Sequence, residues 1–414
     1  MAINLLTEDP RAPSGAHWFW TRVIPEMATR LEPEERLYLL VSPLSRRHGD
    51  DGPPVRAMPS GPPVRAMPSG PPVRAMPSGP PVRAMPSGPP VRAIVFPWSN
   101  ERRNLRTLSE HLYSPVRLPL SRIDVLDTPM APVFNPSWSL VVHMKTMHAF
   151  TTPEALPPAV RAYRRLAYPR TARLADAIII NSESIRAEID EHLHVEPGKL
   201  RLIYEAVDHD LFKPGSREAA RARVAAHGIT RPFVLFVSSL WPYKNCDGLL
   251  RAFAAARENL AGRQLAVVGA ARDERYAAGL RKLTAELGLA DDVVFVGGVP
   301  IEQTVSFYRA ADVLAYPSMN ETFGLPILEA MACGCPVVTS DSSSMPEIAG
   351  GAAVLCDPRD PSSIARAIVE ATEGAGRLRG PGLRRARQFT WGATAAATLD
   401  VYREIGERRN RARR

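Results

Sequence analysis

The second half of the chain alternates, without interruption, between apolar runs of strand length and amphipathic stretches of helix length. RPFVLFV, QLAVVGA and DDVVFVGGV are separated by helical patterns such as CDGLLRAFAAA and RDERYAAGLRKLTAELGL, and IEQTVSFYRAA follows. Strands that are apolar on both faces, each followed by a helix, leave one economical packing: a doubly wound parallel sheet covered on both sides. Ligands of such a sheet sit beyond the carboxyl ends of its strands. AINLLT, LYLLVS, IVF, RIDVLDTP, SLVVHMKTMHAF and ADAIII give the first half a similar character, with HWFWTRVIPEMATRL as a helix, and 414 residues suffice for two such domains. None of the second-half loops holds a full G-x-G-x-x-G, so a dinucleotide-dependent dehydrogenase is excluded.

The most informative loop follows ADVLAY. From Ala311 to Val338 the chain reads ADVLAYPSMNETFGLPILEAMACGCPVV. Pro317 ends the strand, Pro326 stands at a first-turn position and Gly334 stands just past the end, so a helix is expected from about Leu325 to Cys333. A helix that starts at a glycine turn presents unpaired N–H groups and a positive dipole end to an anion. Glu321 lies in that turn and Glu329 lies inside the helix, so both acids can reach one extended ligand. ILEAMA would also serve as an ordinary core helix with both acids solvated.

Glu321, Phe323, Gly324, Leu325, Pro326, Glu329, Ala330, Gly334 and Pro336 together resemble the E-x7-E signature of glycosyltransferase family 4, the retaining, nucleotide-sugar-dependent enzymes of the GT-B fold. The resemblance is dense from about Ala177 to Glu404 and thin before Ala131. It implies two Rossmann-like, doubly wound domains facing across a cleft. The expected division is 1–214 for the first, acceptor-side domain, 225–385 for the nucleotide-sugar domain, and 386–414 for a return helix and basic tail. The resemblance further implies that Lys244, in PYKN, and the amides of Phe323, Gly324 and Leu325 stabilise the departing nucleoside diphosphate. Glu321 would hold hydroxyls of the donor sugar, Glu329 the nucleotide ribose.

His148 ends Thr146-Met147-His148, which is similar to the T-x-H that relatives carry at a strand end in the cleft; His143 is the alternative donor-sugar contact. Gly15 falls where relatives have a glycine loop across from the donor. Relatives often reinforce the lysine with an arginine, at the positions that Ser239 and Tyr243 occupy here, and follow the histidine with an aspartate where Ala149 stands. Those departures favour a second reading, a non-catalytic GT-B scaffold that binds a sugar nucleotide or a partner; retention of both glutamates disfavours it. Asp208-His209-Asp210 superficially matches a D-x-D metal motif, but lies in a V-D-x-x-x-F-x-P turn and reads as structural, so neither a catalytic metal nor a cofactor is expected.

The net charge of +9 raises nucleic acid or an anionic surface as partners. No interleaved aromatic platform or zinc-finger spacing supports nucleic acid. The charge alone leaves a weak peripheral membrane contact as an expectation. Arg161, Arg164, Arg165 and Arg173 lie on one predicted helix and suit an acidic or lipid-phosphate acceptor as well as a solvated face. The tail GERRNRARR reads as solvated. No 18-residue apolar run is present, the start MAINLLTEDPRAP lacks signal-peptide character, and Cys246, Cys333, Cys335 and Cys356 read as reduced core residues. The expected location is cytoplasmic, with peripheral contact at the inner membrane face. The expected acceptor is a glycan, lipid or small molecule.

One segment fits none of this. GPPVRAMPS recurs in four perfect copies from Gly52, and a fifth continues as GPPVRAIVF. Proline-rich and poor in large apolar groups, residues 52–93 are expected to be an extended or disordered insertion in the first domain, either passive or a ligand for a proline-binding partner.

Overall fold

The computed structural model describes residues 1–5, 15–41, 91–95, 123–131 and 138–413. The four perfect repeat copies, the loop before Gly15 and residues 96–122 lie outside the described residues.

Among the described residues, strands β1 (Ala2–Asn4), β2 (Leu37–Val41), β3 (Val91–Val95), β4 (Val125–Thr128), β5 (Ser139–His143), β6 (Ala177–Ile180) and β7 (Leu200–Leu202) form one parallel sheet in the order β3-β2-β1-β4-β5-β6-β7. A second parallel sheet contains β8 (Phe233–Val237), β9 (Gln264–Val268), β10 (Val293–Gly297), β11 (Val313–Tyr316), β12 (Val337–Ser340) and β13 (Val354–Cys356), ordered β10-β9-β8-β11-β12-β13. Both sheets reverse direction of growth beside their first strand, between β1 and β4 and between β8 and β11. This is the two-domain, Rossmann-like GT-B architecture. The crevices at these reversals are where such sheets take ligands.

Several expectations shift in detail. β3 pairs Leu37 with Val91 through Val41 with Val95, so Val91-Arg92-Ala93 of the fifth repeat copy belong to the edge strand rather than to a disordered insertion. What sets this copy apart is Ile94-Val95, which extends VRA into a β-branched run; the other copies continue Met-Pro, and proline cannot donate to a ladder. The chain also joins the second core early. Val207 and Phe212 pack with Ala220 and Val224 of helix Arg217–Ala225 against the second sheet's helices.

The closing helix Trp391–Arg413 returns to the first domain, where Ala395, Leu399, Tyr402 and Ile405 pack on Phe19, Val23 and Ile24. Its basic end is not a loose tail: the helix continues through it, braced by Arg408–Glu404 at 2.5 Å and Arg411–Glu407 at 3.2 Å, both four residues apart. Arg403 fixes the helix further with a two-point contact to Glu35, 2.9 and 3.0 Å, which lowers the Glu35 pKa.

Candidate active site

The helix Leu325–Cys333 forms where expected, with Gly324 as its N-cap at φ +95° and Gly334 as its C-cap at φ +77°. A left-handed N-cap suits glycine alone here: a Cβ on Gly324 would also press to 3.1 Å from Ile327 Cδ1. Phe323 is buried, its ring 6.0 Å from Phe389 and 6.2 Å from Tyr204, and this anchors the turn while its backbone leads into the helix mouth. Hydroxyls shape the rest of the loop. Ser343 Oγ accepts the Glu321 N–H at 3.0 Å, and Ser344 Oγ donates to the carbonyls of Glu321 and Phe323 at 2.9 and 3.0 Å.

Lys244 reaches this mouth from the β8 side of the reversal. Its loop is stitched to the β11 loop by Met319 N–H donating to the Tyr243 carbonyl at 2.8 Å. Asn245 holds the turn in left-handed backbone, φ +59°, and spends its amide on the carbonyls of Pro317 and Pro358 at 2.9 and 2.7 Å. Lys244 Nζ lies 2.5 Å from Glu321 Oε1 and 3.3 Å from the Tyr316 hydroxyl. Burial opposes the lysine's charge, but Glu321 and the phenols of Tyr316 and Tyr243 outweigh it, and the net shift is upward. The lysine is therefore a firm cation beside an open helix N-terminus.

Ser239 sits on the same side, its carbonyl accepting from Trp241 N–H at 3.0 Å. The neighbouring turn is tight enough that a Cβ on Gly269 would stand 1.7 Å from the Ser238 carbonyl oxygen.

Glu329 is half-buried, and its Oε2 accepts from the Tyr308 hydroxyl at 2.7 Å. Burial raises its pKa to about 7, against the smaller opposing effect of that hydrogen bond.

From the first domain, His148 comes to the same place, but not from a strand end. β5 stops at His143, and His148 is the first residue of the single-turn helix His148–Thr151, its N–H donating to Thr146 Oγ1 at 3.3 Å. Its ring lies 5.9 Å from that of Tyr243 across the cleft. Burial lowers its pKa, and the opposing pull of Glu321 is countered by Lys244 and Arg164, so the imidazole is neutral at pH 7. His143 is placed elsewhere: it is half-buried, its ring packs against Phe19 and Trp20, and its Nε2 lies 2.8 Å from Asp127 Oδ2, inside the first domain's packing. Gly15 opens helix Gly15–Ala28 of the first domain. Asp208 is engaged in structure, pairing with Arg22 at 2.8 Å and accepting from the amides of Asp210 and Leu211.

Residues that the motif did not suggest hold the two domains together. Ser182 Oγ donates to the Thr322 carbonyl at 3.0 Å, and Asn320 Nδ2 donates to Thr152 Oγ1 at 3.2 Å. Glu347 accepts the N-terminal amide of helix Glu183–His192 at 2.9 and 3.0 Å and the Tyr204 hydroxyl at 2.8 Å. The serine-rich DSSSMPE segment was the available signal for half of these contacts; the rest depend on partners 140 or more residues away.

The chain is similar to known glycosyltransferases. A family profile described as "Glycosyl transferases group 1" matches residues 220–380, and one described as "Glycosyltransferase Family 4" matches residues 70–211. Curated relatives include a D-inositol 3-phosphate glycosyltransferase of Thermobispora bispora, 34% identical over 61% of each chain. D-inositol 3-phosphate glycosyltransferase 2 of Catenulispora acidiphila is 36% identical over 55% of this chain and 56% of its own. The chain thus spans about six-tenths of the length of such relatives. Among solved structures, sucrose-phosphate synthase of Thermosynechococcus elongatus superposes with a TM-score of 0.68 at 21% identity, covering 98% of both chains. Anabaena HepE, solved with UDP and glucose, gives 0.66 at 18% identity over 98% of this chain and all of its own. At those identities the structural likeness speaks to fold.

Proposed function

We propose, for a chain that belongs to the group 1, family 4 glycosyltransferases, that it moves a sugar from a nucleoside-diphosphate sugar to an acceptor with retention of anomeric configuration. The observation that carries this is the convergence of Lys244, Glu321 and the mouth of helix Leu325–Cys333 at the β8/β11 reversal. An ammonium and a helix N-terminus fixed in one place suit the charge that develops on a departing diphosphate. The bond from the anomeric carbon to the diphosphate oxygen breaks, the acceptor oxygen bonds to that carbon on the same face, and the acceptor's proton passes to the leaving phosphate. Glu321 orients sugar hydroxyls, Glu329 takes the ribose, and neutral His148 with Ser239 and Gly15 completes the walls. The commitments of Asp208 support a metal-independent reaction.

The acceptor is proposed to be a glycan or a lipid-linked group, held on the first-domain side. Helix Pro158–Leu174 supports a weak membrane contact: Leu166 is 80% exposed among Arg161, Arg165 and Arg173, with no acid on the helix. No helix among the described residues is long and apolar enough to cross a membrane. Leu166→Ser with Arg165→Ser is expected to abolish sedimentation with anionic vesicles; unchanged binding would remove the helix from this role.

Incubation with UDP-, GDP- and ADP-sugars tests the main reading, with D-inositol 3-phosphate as a first acceptor because curated relatives are named for it. Release of nucleoside diphosphate that survives EDTA and is lost in Lys244→Ala is expected. Absence of turnover with every donor, or full dependence on added Mg²⁺, would contradict it.

A further inference from the structure

Tyr316 is the last residue of β11, and its phenol touches both charged groups of the site. The ring is fully buried in the second domain's core. Its backbone is tied to β12 through the ladder and through Thr339 Oγ1, which donates to the Tyr316 carbonyl at 3.1 Å. The phenol cannot swing away without unpacking the core. Its hydroxyl hydrogen-bonds to Glu321 Oε1, the oxygen that Lys244 Nζ also contacts at 2.5 Å. Burial, and then the Glu321 charge, raise the phenol's pKa, so at pH 7 it keeps its proton and donates.

An arriving diphosphate competes for the cation in this cluster. One carboxylate oxygen of Glu321 holds both the ammonium and the phenol, and Glu321 is 9% exposed. A lysine that turns toward a phosphate leaves that oxygen without its cation, and a buried carboxylate stripped of its partner is costly and loses orientation. The phenol is the side-chain donor that stays.

We propose that Tyr316 is a positioning residue for sugar transfer: it keeps Glu321 in place while Lys244 exchanges that carboxylate for the donor's diphosphate. No bond is made or broken in this step; one ion pair replaces another. The proposal rests on the transferase reading above, and two kinds of failure can be told apart. Tyr316→Phe keeps the ring and removes only the hydroxyl.

Steady-state kinetics with the accepted donor are expected to show kcat lowered about tenfold or more in Y316F, with donor KM within about threefold of wild type. A variant that only disturbed packing would not divide its effect in this way. Calorimetry with UDP, GDP and ADP supplies a second reading that does not depend on the folding of Y316F. In Glu321→Gln the lysine is no longer held by a charge, and the accepted nucleoside diphosphate is expected to bind several-fold more tightly. Wild-type kcat in Y316F, a loss confined to KM, or unchanged nucleotide affinity in E321Q each overturns the proposal while leaving the transferase reading intact. A wild-type protein that neither binds nor turns over any of these nucleotides overturns both.

Discussion

Two glutamates eight residues apart acquire different chemistry from their surroundings. Glu321 shares a cation and a phenol, whereas Glu329 faces burial with the Tyr308 hydroxyl as its hydrogen-bond donor. Glu321→Ala is expected to lower kcat by about tenfold to a hundredfold, because the charge-assisted contacts it makes are each worth roughly 1.5–3 kcal/mol, with little net change in donor affinity, since the sugar contacts it loses offset the firmer grip of the freed Lys244 on the diphosphate; near-normal turnover would remove it from the mechanism. For Glu329, held up at about 7 from an ordinary 4.5, the proposed ribose contact would use the ionised form, so donor affinity should rise between pH 6 and pH 8. The stability sign is opposite. A raised folded pKa stabilises the protein below the ordinary value, and that stabilisation is lost as pH climbs through 7. Glu329→Gln should therefore melt higher than wild type at pH 8, by an amount on the order of 1–3 kcal/mol, while binding donor more weakly and without that pH dependence. A lower melting temperature at pH 8 would contradict the assignment. The two acids were legible in the sequence, as was Lys244. Tyr316 was not, because a strand tyrosine reads as core, and only the fold shows its hydroxyl meeting Glu321.

Among the elements, helix Leu325–Cys333 was the most legible, since Pro326 and Gly334 bracket it and its φ-positive caps are both glycines. Gly324→Ala is expected to destabilise the protein by about 1–2 kcal/mol, the cost of a left-handed L-residue, and to raise donor KM by displacing the helix mouth. A melting temperature equal to wild type, measured by calorimetry, would show that the turn relaxes freely. Strand ends were less legible. β5 stops at His143 although the apolar run suggests continuation toward His148, because Met144 N–H makes a last ladder bond to the Ile179 carbonyl and the chain then turns into the helix His148–Thr151. The edge strand β3 was hidden in another way: Val91-Arg92-Ala93 repeats a motif that elsewhere runs into proline, and the two residues Ile94-Val95 are the sequence difference that lets this copy pair with β2.

At the scale of the whole molecule, two sheets were readable from alternation, but their junction was not, since Ser182–Thr322 and Glu183–Glu347 join residues far apart in sequence. The repeat is also a whole-molecule matter. Excising Pro53 to Gly88 removes four copies' worth of sequence, joins Gly52 to Pro89, retains all of β3, and lowers the net charge from +9 to +5 by removing Arg56, Arg65, Arg74 and Arg83. Loop lengthening costs only about 0.6 kcal/mol per doubling, so the shortened protein should melt at the parent's temperature or slightly above and retain turnover. Loss of turnover with the melt unchanged would make the repeat a working part. The proposed same-face displacement of a nucleoside diphosphate rests on Lys244, Glu321 and the helix mouth, held together at one reversal of the second sheet. Proton NMR of the anomeric position during transfer tests this most directly: an α-linked donor should give an α-linked product from its first appearance, and a β-linked product would contradict it.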